Sequence, residues 1–293
     1  MNGKVVVGIG EALWDVLPEG KKLGGAPANF AYHVSQFGLN SCVVSAVGND
    51  DLGKEIVKKF RDKSLHDVVE TVPFPTGTVL VTLDSNGIPN YEIKETVAWD
   101  NIPYTSKLEE LAKYTCAVCF GSLAQRNIVS RETIIRFINA IPDKEHTLVI
   151  FDINLRQDFY TKEILSKSFE MCNILKINDE ELDVISDMFN FSGQAIEDKC
   201  YDLLNMYKLK MLILTCGVNG SYIFTNDSFS FMQTPQVNAI DTVGAGDSFT
   251  ASFVASILKG KSIREAHEIA VKVSAFVCTQ NGAMPVLPHC YME

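Results

Sequence analysis

The segment from Asp241 to Leu258, DTVGAGDSFTASFVASIL, joins a glycine-rich loop to an apolar helix. Gly244 and Gly246 allow backbone torsions that residues with a Cβ atom avoid. A glycine loop that leads into a helix directs free N–H groups and the positive end of the helix dipole at one point, which predicts an anion site. Asp247 stands at its mouth, where the dipole should help to keep the carboxylate ionised. This combination suits phosphoryl transfer, because the carboxylate can take the proton of an attacking hydroxyl group.

A purely structural role is the alternative for the same segment. Aspartate is a favoured N-cap residue, so Asp247 could cap the helix while the two glycines form an ordinary turn. The other groups that phosphoryl transfer needs must therefore be sought elsewhere in the chain.

The composition indicates a globular protein. The chain has 293 residues, 46% of them hydrophobic, which is compatible with one large domain or with one domain plus an insertion. A formal net charge of −10 argues against a nucleic-acid partner. The N-terminal apolar run is too short for a signal peptide and no stretch is long enough to span a membrane, so a soluble, cytoplasmic protein is expected. The single CxxC pair, Cys116 and Cys119, has no second pair, so reduced thiols are expected rather than zinc ligands.

Short apolar strands alternate with amphipathic helices from Cys116 onward. This pattern predicts a parallel sheet with helices on both faces, and ligands bind such sheets at the carboxyl ends of the strands. The predicted strands are Ala117–Gly121, Thr147–Asp152, Ile174–Ile177, Met211–Thr215 and Tyr222–Thr225, and the predicted helices are Arg131–Ile141, Lys162–Met171, Asp179–Met188, Ala195–Tyr207 and Ile263–Thr279.

Polar residues follow three successive strands of this predicted sheet. Arg156 supplies the cation that a transferring phosphoryl group needs. Asn178 and Glu181 could hold Mg²⁺ through water, because Mg²⁺ usually keeps several of its waters. Each residue alone could be a cap or a turn residue, but their repetition at three strand ends favours a ligand site. The groups are Asp152, Asn154 and Arg156, then Lys176, Asn178 and Glu181, then Thr215, Gly217 and Gly220.

Two glycine-containing turns near the N-terminus place polar residues beside predicted elements. Val5–Ile9 is predicted as a buried strand, and the glycine pattern that follows lacks its third glycine, which argues against a dinucleotide site. Asp15 follows this strand and is suited to accept hydrogen bonds from a polyol, with a surface turn acid as the alternative. Asn29 lies in the first turn of the next predicted helix. The stretch Gly48–Lys54 is similar to a phosphate loop, but Glu55 stands where Ser or Thr is required, so no phosphate is expected there.

Residues 68–103 carry no helical pattern. Thr78–Leu83 and Tyr91–Ile93 are predicted strands, and residues 84–87 between them are typical of a turn. We expect a small β insertion that serves as a lid or as a contact between two chains, a use that rests on fold analogy.

Three motifs together resemble the PfkB family of carbohydrate kinases along nearly the whole chain. They are GGAPAN at Gly24–Asn29, NDEE at Asn178–Glu181 and DTVGAGD at Asp241–Asp247. The resemblance implies a ribokinase-like α/β fold, in which a doubly wound, mostly parallel sheet is flanked by helices in a single domain over 1–293. It also implies a small β-sheet lid, formed by insertions at about 12–23 and 68–103, through which two chains would form a homodimer.

The resemblance also implies how the site is divided. Asp247 would be the base that activates the sugar hydroxyl group, and Arg156 would touch both the sugar and the phosphoryl group. The anion hole would be the backbone of Gly244, Ala245, Gly246 and Asp247, and the sugar would bind to Asp15, Gly25 and Asn29. ATP would lie along Lys176, Asn178, Glu181, Thr215, Gly217, Gly220, Gly246 and Asn281.

Two ions are implied in the same way. Glu181 would reach Mg²⁺ through water, and Asp241 with the carbonyl group of Val243 match positions where potassium-activated members hold K⁺. The chain departs from the family at Ile153, where proline is frequent, and at Val286, where ribokinase tends to have a hydroxyl group. The second departure leaves the potassium dependence open.

The sugar is predicted from the two tryptophans of the chain. Trp14 and Trp99 lie in segments similar to the bacterial fructokinase branch, where an aromatic lid closes over a hexose. Because apolar ring faces stack on the C–H face of a sugar, the predicted reaction is phosphorylation of D-fructose by ATP. Packing of either ring in the core is the alternative.

Other functions stay open. Within the fold, the alternative is a kinase for ribose, a nucleoside or 2-keto-3-deoxygluconate, and the keto acid would call for a further cation from Lys21, Lys22 or Lys94. A non-catalytic sugar or nucleotide sensor is disfavoured because Asp247 and both loop glycines are present. A nicotinamide oxidoreductase is disfavoured by the broken glycine fingerprint.

Overall fold

The chain folds around one large and one small β-sheet. A computed structural model describes residues 3–18, 20–83, 89–191 and 195–292, with the backbone alone for 81–83 and 89–91. The strands are β1 (Val5–Ile9), β2 (Leu13–Leu17), β3 (Gly20–Gly24), β4 (Ser41–Gly48), β5 (His66–Val72), β6 (Gly77–Leu83), β7 (Pro89–Ile93), β8 (Thr115–Phe120), β9 (Leu148–Asp152), β10 (Ile174–Asn178), β11 (Met211–Thr215), β12 (Ser221–Phe224) and β13 (Phe229–Met232). The α-helices are α1 (Ala26–Gln36), α2 (Asp51–Asp62), α3 (Ser106–Ala112), α4 (Ile128–Ala140), α5 (Lys162–Met171), α6 (Asp179–Phe189), α7 (Ile196–Met206), α8 (Ala245–Leu258) and α9 (Ile263–Cys278).

The large sheet has nine strands in the order β13-β12-β11-β10-β9-β8-β1-β4-β5. The pairs from β5 to β11 are parallel, whereas β12 and β13 add an antiparallel edge. The central strands are short, almost wholly buried apolar runs, as expected for parallel strands that are covered on both faces. The predicted α/β class with a mostly parallel sheet is confirmed.

Helices cover both faces of the large sheet. Because successive strand residues point to opposite sides, Val7 of β1 lies in a core with Phe137 of α4 and helices α3 to α7. Its neighbour Val6 lies in a second core with Phe253 of α8, and α1 and α9 complete that face. Within the described residues no helix is long and apolar enough to cross a membrane. All eight cysteines carry free thiols.

The small sheet has the order β3-β2-β6-β7. The hairpin pairs β2–β3 and β6–β7 are antiparallel, and β2 and β6 are parallel. Residues 68–72 were expected in this insertion, but they belong to β5, which pairs with β4 at the edge of the large sheet, and this corrects the predicted boundary at residue 68. Because β5 is half-exposed and contains several polar residues, its sequence does not indicate that it belongs to the large sheet. The turn predicted at 84–87 lies outside the described residues.

The stretch that is similar to a phosphate loop forms the start of α2. The carboxylate of Asp50 caps this helix by accepting the N–H group of Gly53 over 2.8 Å, and it also accepts the hydroxyl group of Thr76 over 2.6 Å. The acids in this loop therefore have a structural role, in agreement with the rejection of a phosphate site. The short helix α3 and a 3-10 turn at Ala98–Asn101 were not predicted, because the sequence of each carries only a weak helical pattern.

Candidate active site

The glycine loop before α8 has the geometry that its sequence predicts. Gly244 has a φ of 80° and caps the helix, which begins at Ala245 and so places Asp247 in its first turn. A Cβ atom on Gly244 would lie 2.6 Å from the Cβ atom of Ala283. Positive φ and close packing both require glycine at this position.

The donors of this anion cradle are fewer than predicted. The N–H group of Ala245 donates to the carbonyl oxygen of Thr242 over 3.2 Å. The first-turn N–H groups of Gly246 and Asp247 have no earlier carbonyl within the helix, so they are the donors that can face an anion. A Cβ atom on Gly246 would lie 3.1 Å from Nζ of Lys176, which brings a positive charge against the cradle.

The surroundings of Asp247 give its carboxyl group a pKa at which it can accept a proton. Asn29 donates from Nδ2 to Oδ2 of Asp247 over 2.7 Å. Burial, and next the charge of Asp152, raise the pKa of Asp247 to about 7, although Asn29, Lys176 and Arg156 act in the opposite direction. Burial therefore opposes the help that the helix dipole is expected to give to the ionised form of this carboxylate. A pKa near neutrality matches the requirement for a general base at physiological pH.

A buried ion pair lies beneath the cradle. Nζ of Lys176 lies 3.2 Å from Oδ1 of Asp152, and the two side chains are 8% and 7% exposed. The other oxygen of Asp152 accepts the hydroxyl group of Thr250 over 3.2 Å. Burial alone would lower the pKa of Lys176, but the carboxylates of Asp152, Glu181 and Asp247 more than offset it, so the pKa is raised. Lys176 thus remains charged at the point where a phosphoryl group would meet the cradle.

Asn178 and Glu181 form a reciprocal helix cap at the start of α6. Oδ1 of Asn178 accepts the N–H group of Glu181 over 2.7 Å, and Oε2 of Glu181 accepts that of Asn178 over 2.9 Å. Oε1 of Glu181 accepts the N–H group of Leu155 over 2.9 Å, which ties the loop after β9 to α6. Both residues therefore have the structural role that the sequence left open.

The site suits a hydrated magnesium ion better than a chelated one. Among the described residues no group of three or more His, Cys, Asp or Glu side chains could hold a metal ion. Each carboxylate oxygen of Glu181 keeps a further lone pair beyond its backbone hydrogen bond. A hydrated Mg²⁺ that arrives with ATP needs only one or two protein carboxylates. Glu181 by itself therefore suffices for a contact with this ion through water.

Arg156 extends from the loop after β9 as an exposed cation. Its guanidinium group donates to the carbonyl oxygen of Leu155 over 2.9 Å, and the ion pairs of the described residues do not include it. Burial raises the pKa values of Glu11, Asp15 and Asp247, and the charge of Arg156 opposes this rise at each of them, so all three carboxylates lie within its field. Arg156 is thus available for a transferring phosphoryl group.

The loop that carries Arg156 is held without the proline frequent in the family. Ile153 is fully buried in the core, and Asn154 has a φ of 42°, a left-handed conformation that asparagine tolerates. Ser122 donates to the carbonyl oxygen of Asn154 over 3.4 Å, in addition to the contact between Leu155 and Glu181. Packing and hydrogen bonds therefore replace the missing ring.

The predicted sugar side contains a half-buried carboxylate, Asp15, and a buried amide, Asn29. A Cβ atom on Gly24 would lie 2.4 Å from Oδ2 of Asp15, so this glycine makes room for the carboxylate, and Gly25 caps α1 with a φ of 113°. Burial raises the pKa of Asp15 to about 6, against the charge of Arg156. Asn29, 3% exposed, has a buried Oδ1 atom that accepts no hydrogen bond within the described chain.

Glu11 is a further carboxylate of this region, which the sequence did not single out. It is 2% exposed, its Oε2 atom has no hydrogen-bond partner among the described residues, and burial raises its pKa. The carbonyl group of Glu11 packs against Gly25, where a Cβ atom would approach it to 2.3 Å. Its only sequence signal is a charged residue directly after the glycines that end β1. Unfilled acceptors on Glu11 and Asn29 suit a ligand rich in hydroxyl donors.

The residues predicted for ATP lie at the same sheet edge. Thr215 ends β11 and pairs in register with Asn178 of β10. Gly217 and Gly220, with φ values of 51° and 110°, bound the following turn. A Cβ atom on Gly220 would lie 2.6 Å from the carbonyl oxygen of Met232, so a larger residue is excluded. Asn281 is exposed after α9.

The structure contradicts the role predicted for the two tryptophans. Trp14 and Trp99 are 2% and 1% exposed and belong to hydrophobic cores. Nε1 of Trp14 donates to the carbonyl oxygen of Leu52 over 3.1 Å, which fixes the ring against α2. A Cβ atom on Gly77 would lie 2.2 Å from Nε1 of Trp99, so that ring packs on the small sheet. Neither ring is open to a sugar, and core packing is the correct interpretation.

Arg126 explains the burial of Trp99. Its guanidinium group lies 4.1 Å from the ring of Trp99 and 4.5 Å from that of Phe159. It also donates to both carboxylate oxygens of Asp100, over 2.8 and 2.9 Å. These contacts join the end of the small sheet to the loop that carries Arg156. A cavity of about 240 Å³ adjoins this cluster.

Asp241 is surrounded by donors. Its carboxylate accepts the ammonium group of Lys22 over 2.9 Å and the N–H groups of Val243 and Gly282 over 3.0 and 3.1 Å. The side chain of Val243 is 46% exposed. Asp241 therefore organises the turn that leads into Gly244.

Comparisons with known proteins agree with this geometry. Residues 18–290 match the model of the pfkB family carbohydrate kinases. A fructokinase of Salmonella typhimurium is 29% identical over 99% of this chain and 97% of its own, and an ATP-dependent 6-phosphofructokinase of Thermoanaerobacterium thermosaccharolyticum is 28% identical over 92% and 82%. A fructokinase from Vibrio cholerae, solved with fructose, ADP and a potassium ion, superposes with a TM-score of 0.82 at 24% identity, over 99% of this chain and 98% of its own. The ribokinase-like fold is confirmed, and the chain belongs to the pfkB family of carbohydrate kinases, the ATP-dependent sugar kinases.

Proposed function

We propose that this protein transfers the γ-phosphoryl group of ATP to the 6-hydroxyl group of D-fructose. The observation that carries the proposal is the position of Asp247, a carboxylate with a pKa of about 7 in the first turn of α8, directly at the anion cradle. Relatives that are named fructokinases support the choice of sugar.

The proposed reaction is a direct in-line transfer. The γ-phosphate of ATP lies at the N–H groups of Gly246 and Asp247, with the nucleotide along the carboxyl ends of β10 and β11. As the sugar oxygen attacks phosphorus, Asp247 takes its proton and the bond from phosphorus to the bridging oxygen of ADP breaks. Arg156 and Lys176 stabilise the charge on the transferring group, and Mg²⁺ that enters with ATP adds further positive charge.

The charges at the sugar mouth favour a neutral sugar. A keto acid would need a further cation, and the three candidate lysines already face carboxylates. Lys21 pairs with Glu55, Lys22 with Asp241 and Lys94 with Glu92. A second anionic group on the substrate would instead meet Glu11 and Asp15, whose burial already disfavours further negative charge. This arrangement does not favour 2-keto-3-deoxygluconate or a sugar that is already phosphorylated.

The substrate is tested by ADP release from fructose, ribose, mannose, glucose, adenosine, 2-keto-3-deoxygluconate and fructose 6-phosphate. We expect a kcat/KM for fructose that exceeds the others by at least about a hundredfold, a ratio that polar recognition can supply. Asp247→Asn protein that is purified by the same procedure controls for contaminating kinases. A hundredfold preference for another sugar would refute fructose, and silence on all of them with ATP bound would favour a sensor.

Three further features belong to this proposal and stay predictions. We infer that the small sheet closes over the sugar to exclude water. Two chains would pair through the same sheet, and the protein would work in the cytoplasm. Gel filtration with light scattering and fractionation of the source cells test the last two.

A further inference from the structure

Lys22 joins the small sheet to the loop that precedes the anion cradle. It lies on β3, directly opposite Asp15 of β2 in the hairpin register. Its Nζ atom lies 2.9 Å from Oδ2 of Asp241, 219 positions away in the sequence. The ammonium group therefore connects the hairpin that carries the sugar-side carboxylate to the turn that leads into Gly244.

The contacts of Asp241 hold the cradle from two sides. Its Oδ1 atom accepts the N–H group of Val243, inside the turn, and its Oδ2 atom accepts that of Gly282, beside the residue that packs on Gly244. The side chain of Asp241 is only 13% exposed. Although burial opposes it, these hydrogen bonds, led by that from Lys22, lower the pKa of Asp241. The shape of the cradle therefore depends on an ionised, fully bonded Asp241.

The donor set around Asp241 does not fit the potassium ion that the family resemblance implies there. Proteins hold K⁺ with oxygen atoms that replace its hydration shell. Here both carboxylate oxygens face N–H donors, and one of these donors carries a full positive charge. The side chain of Val286, at the position of the family's hydroxyl group, is 78% exposed and offers no oxygen. A second cation beside Lys22 would meet repulsion that one carboxylate does not offset.

We propose that the ammonium group of Lys22 takes the place of a bound monovalent cation at Asp241 and holds the anion cradle in shape without K⁺. Lys22 is a positioning residue, since it acts through Asp241 and Gly244 and does not touch the reacting atoms. Because Lys22 belongs to the small sheet, the position of this sheet and the shape of the cradle are coupled. The activity readout rests on the proposed kinase function, whereas the cation-binding readout does not.

The first test compares the potassium dependence of kcat in the wild type and in Lys22→Ala, with tetramethylammonium chloride to keep the ionic strength constant. We expect the wild type to change less than about twofold with K⁺. Lys22→Ala should lose about 10- to 100-fold in kcat, the size of effect that a misplaced active-site group produces. K⁺, NH₄⁺ or methylammonium should restore most of this loss, because the substitution leaves the carboxylate of Asp241 without a positive charge beside it and with room for a small cation.

The matched control is Lys21→Ala. Lys21 is the neighbour of Lys22 on β3, but its ammonium group pairs with Glu55 at the surface and lies 4.8 Å from the ring of Trp14. This variant should show neither the loss of kcat nor the rescue by cations. Lys22→Arg, which keeps the charge, should remain independent of K⁺.

The second readout is the melting temperature with and without K⁺. KCl should raise that of Lys22→Ala and leave that of the wild type unchanged, relative to tetramethylammonium chloride. A wild type activated more than about tenfold by K⁺ would overturn the proposal, and so would a Lys22→Ala loss that no cation restores. If Lys22→Ala does not fold, Lys22→Met keeps the apolar stem and is tested in the same way. Failure of the kinase proposal would appear separately, as a folded wild type that turns over no sugar.

Discussion

Asn29→Leu tests how the protein sets the protonation of its base. The substitution keeps the approximate size of the side chain but removes the amide group that donates to Oδ2 of Asp247 over 2.7 Å. This hydrogen bond favours the ionised form of Asp247, because it lowers a pKa that burial raises to about 7. Its loss must therefore raise that pKa further and move the acidic limb of activity to higher pH.

The size of the shift follows from the energy of a hydrogen bond to a charged group. Such bonds contribute about 1.5–3 kcal/mol, and the lower value applies because Asp247 is partly exposed. About 1.5 kcal/mol corresponds to about one pKa unit. At pH 7 the ionised fraction would fall from about a half to about a tenth, so kcat/KM should fall about fivefold and recover toward pH 9.

The measurement is kcat/KM from pH 5.5 to 9.5 for the wild type and for Asn29→Leu, because this ratio reports ionisations of the free enzyme. A change in KM alone would reflect the predicted contact of Asn29 with the sugar, whereas a displaced limb reports the base. Ser35→Ala on the same helix, whose hydroxyl group donates to the carbonyl oxygen of Tyr32 over 2.7 Å, is the control. An acidic limb at the same pH in both proteins would refute this account of Asp247.

Two further predictions concern stability. Arg126→Ala should lower the free energy of unfolding by about 3–5 kcal/mol, because it leaves the carboxylate of Asp100, a 1% exposed residue, without its charged partner. Lys113→Ala breaks an exposed ion pair and should leave the urea midpoint unchanged. Equal urea midpoints for the two variants would contradict this prediction. Gly244→Ala should destabilise by at least about 1–2 kcal/mol from the positive φ alone, and its kcat should fall because the added Cβ atom displaces the cradle. Gly260 has a similar φ of 84°, and an added Cβ atom would meet nothing within 4 Å, so Gly260→Ala measures the free energy cost of the positive φ without a clash. An equal kcat in both variants would show that the added Cβ atom on Gly244 does not displace the cradle.

The sequence predicts the parts of the fold that depend on local pattern. The bounds of α5 and β11 were predicted as observed, because each is a strongly periodic or apolar run with clear ends. Residues 68–72 of β5 were placed in the insertion, since the pairing of β5 with β4 depends on an edge position that a half-exposed sequence does not reveal. The turn before α8 was predicted because a positive φ, as at Gly244, is found mainly at glycine.

Properties that depend on distant neighbours were not predictable. The pKa of Asp247 reflects burial and the charge of Asp152, 95 positions earlier, which the local sequence of the helix does not reveal. The two tryptophans were placed by their segments, but whether an aromatic ring faces a cleft or a core is decided by packing partners such as Arg126. The pair between Lys22 and Asp241 joins residues that are 219 positions apart and leaves no local signal in the sequence.

The central claim is that Asp247 takes the proton of the sugar hydroxyl group, and Asp247→Asn tests it most directly. The amide keeps the shape of the carboxylate and can still accept the hydrogen bond from Asn29, but it cannot act as a base. The measurement is kcat for phosphorylation of fructose together with the Kd for ATP with Mg²⁺, obtained by calorimetry on the same protein. We predict that kcat falls at least about a hundredfold, the usual contribution of a general base, while the Kd changes less than about threefold. A kcat near that of the wild type would contradict the claim.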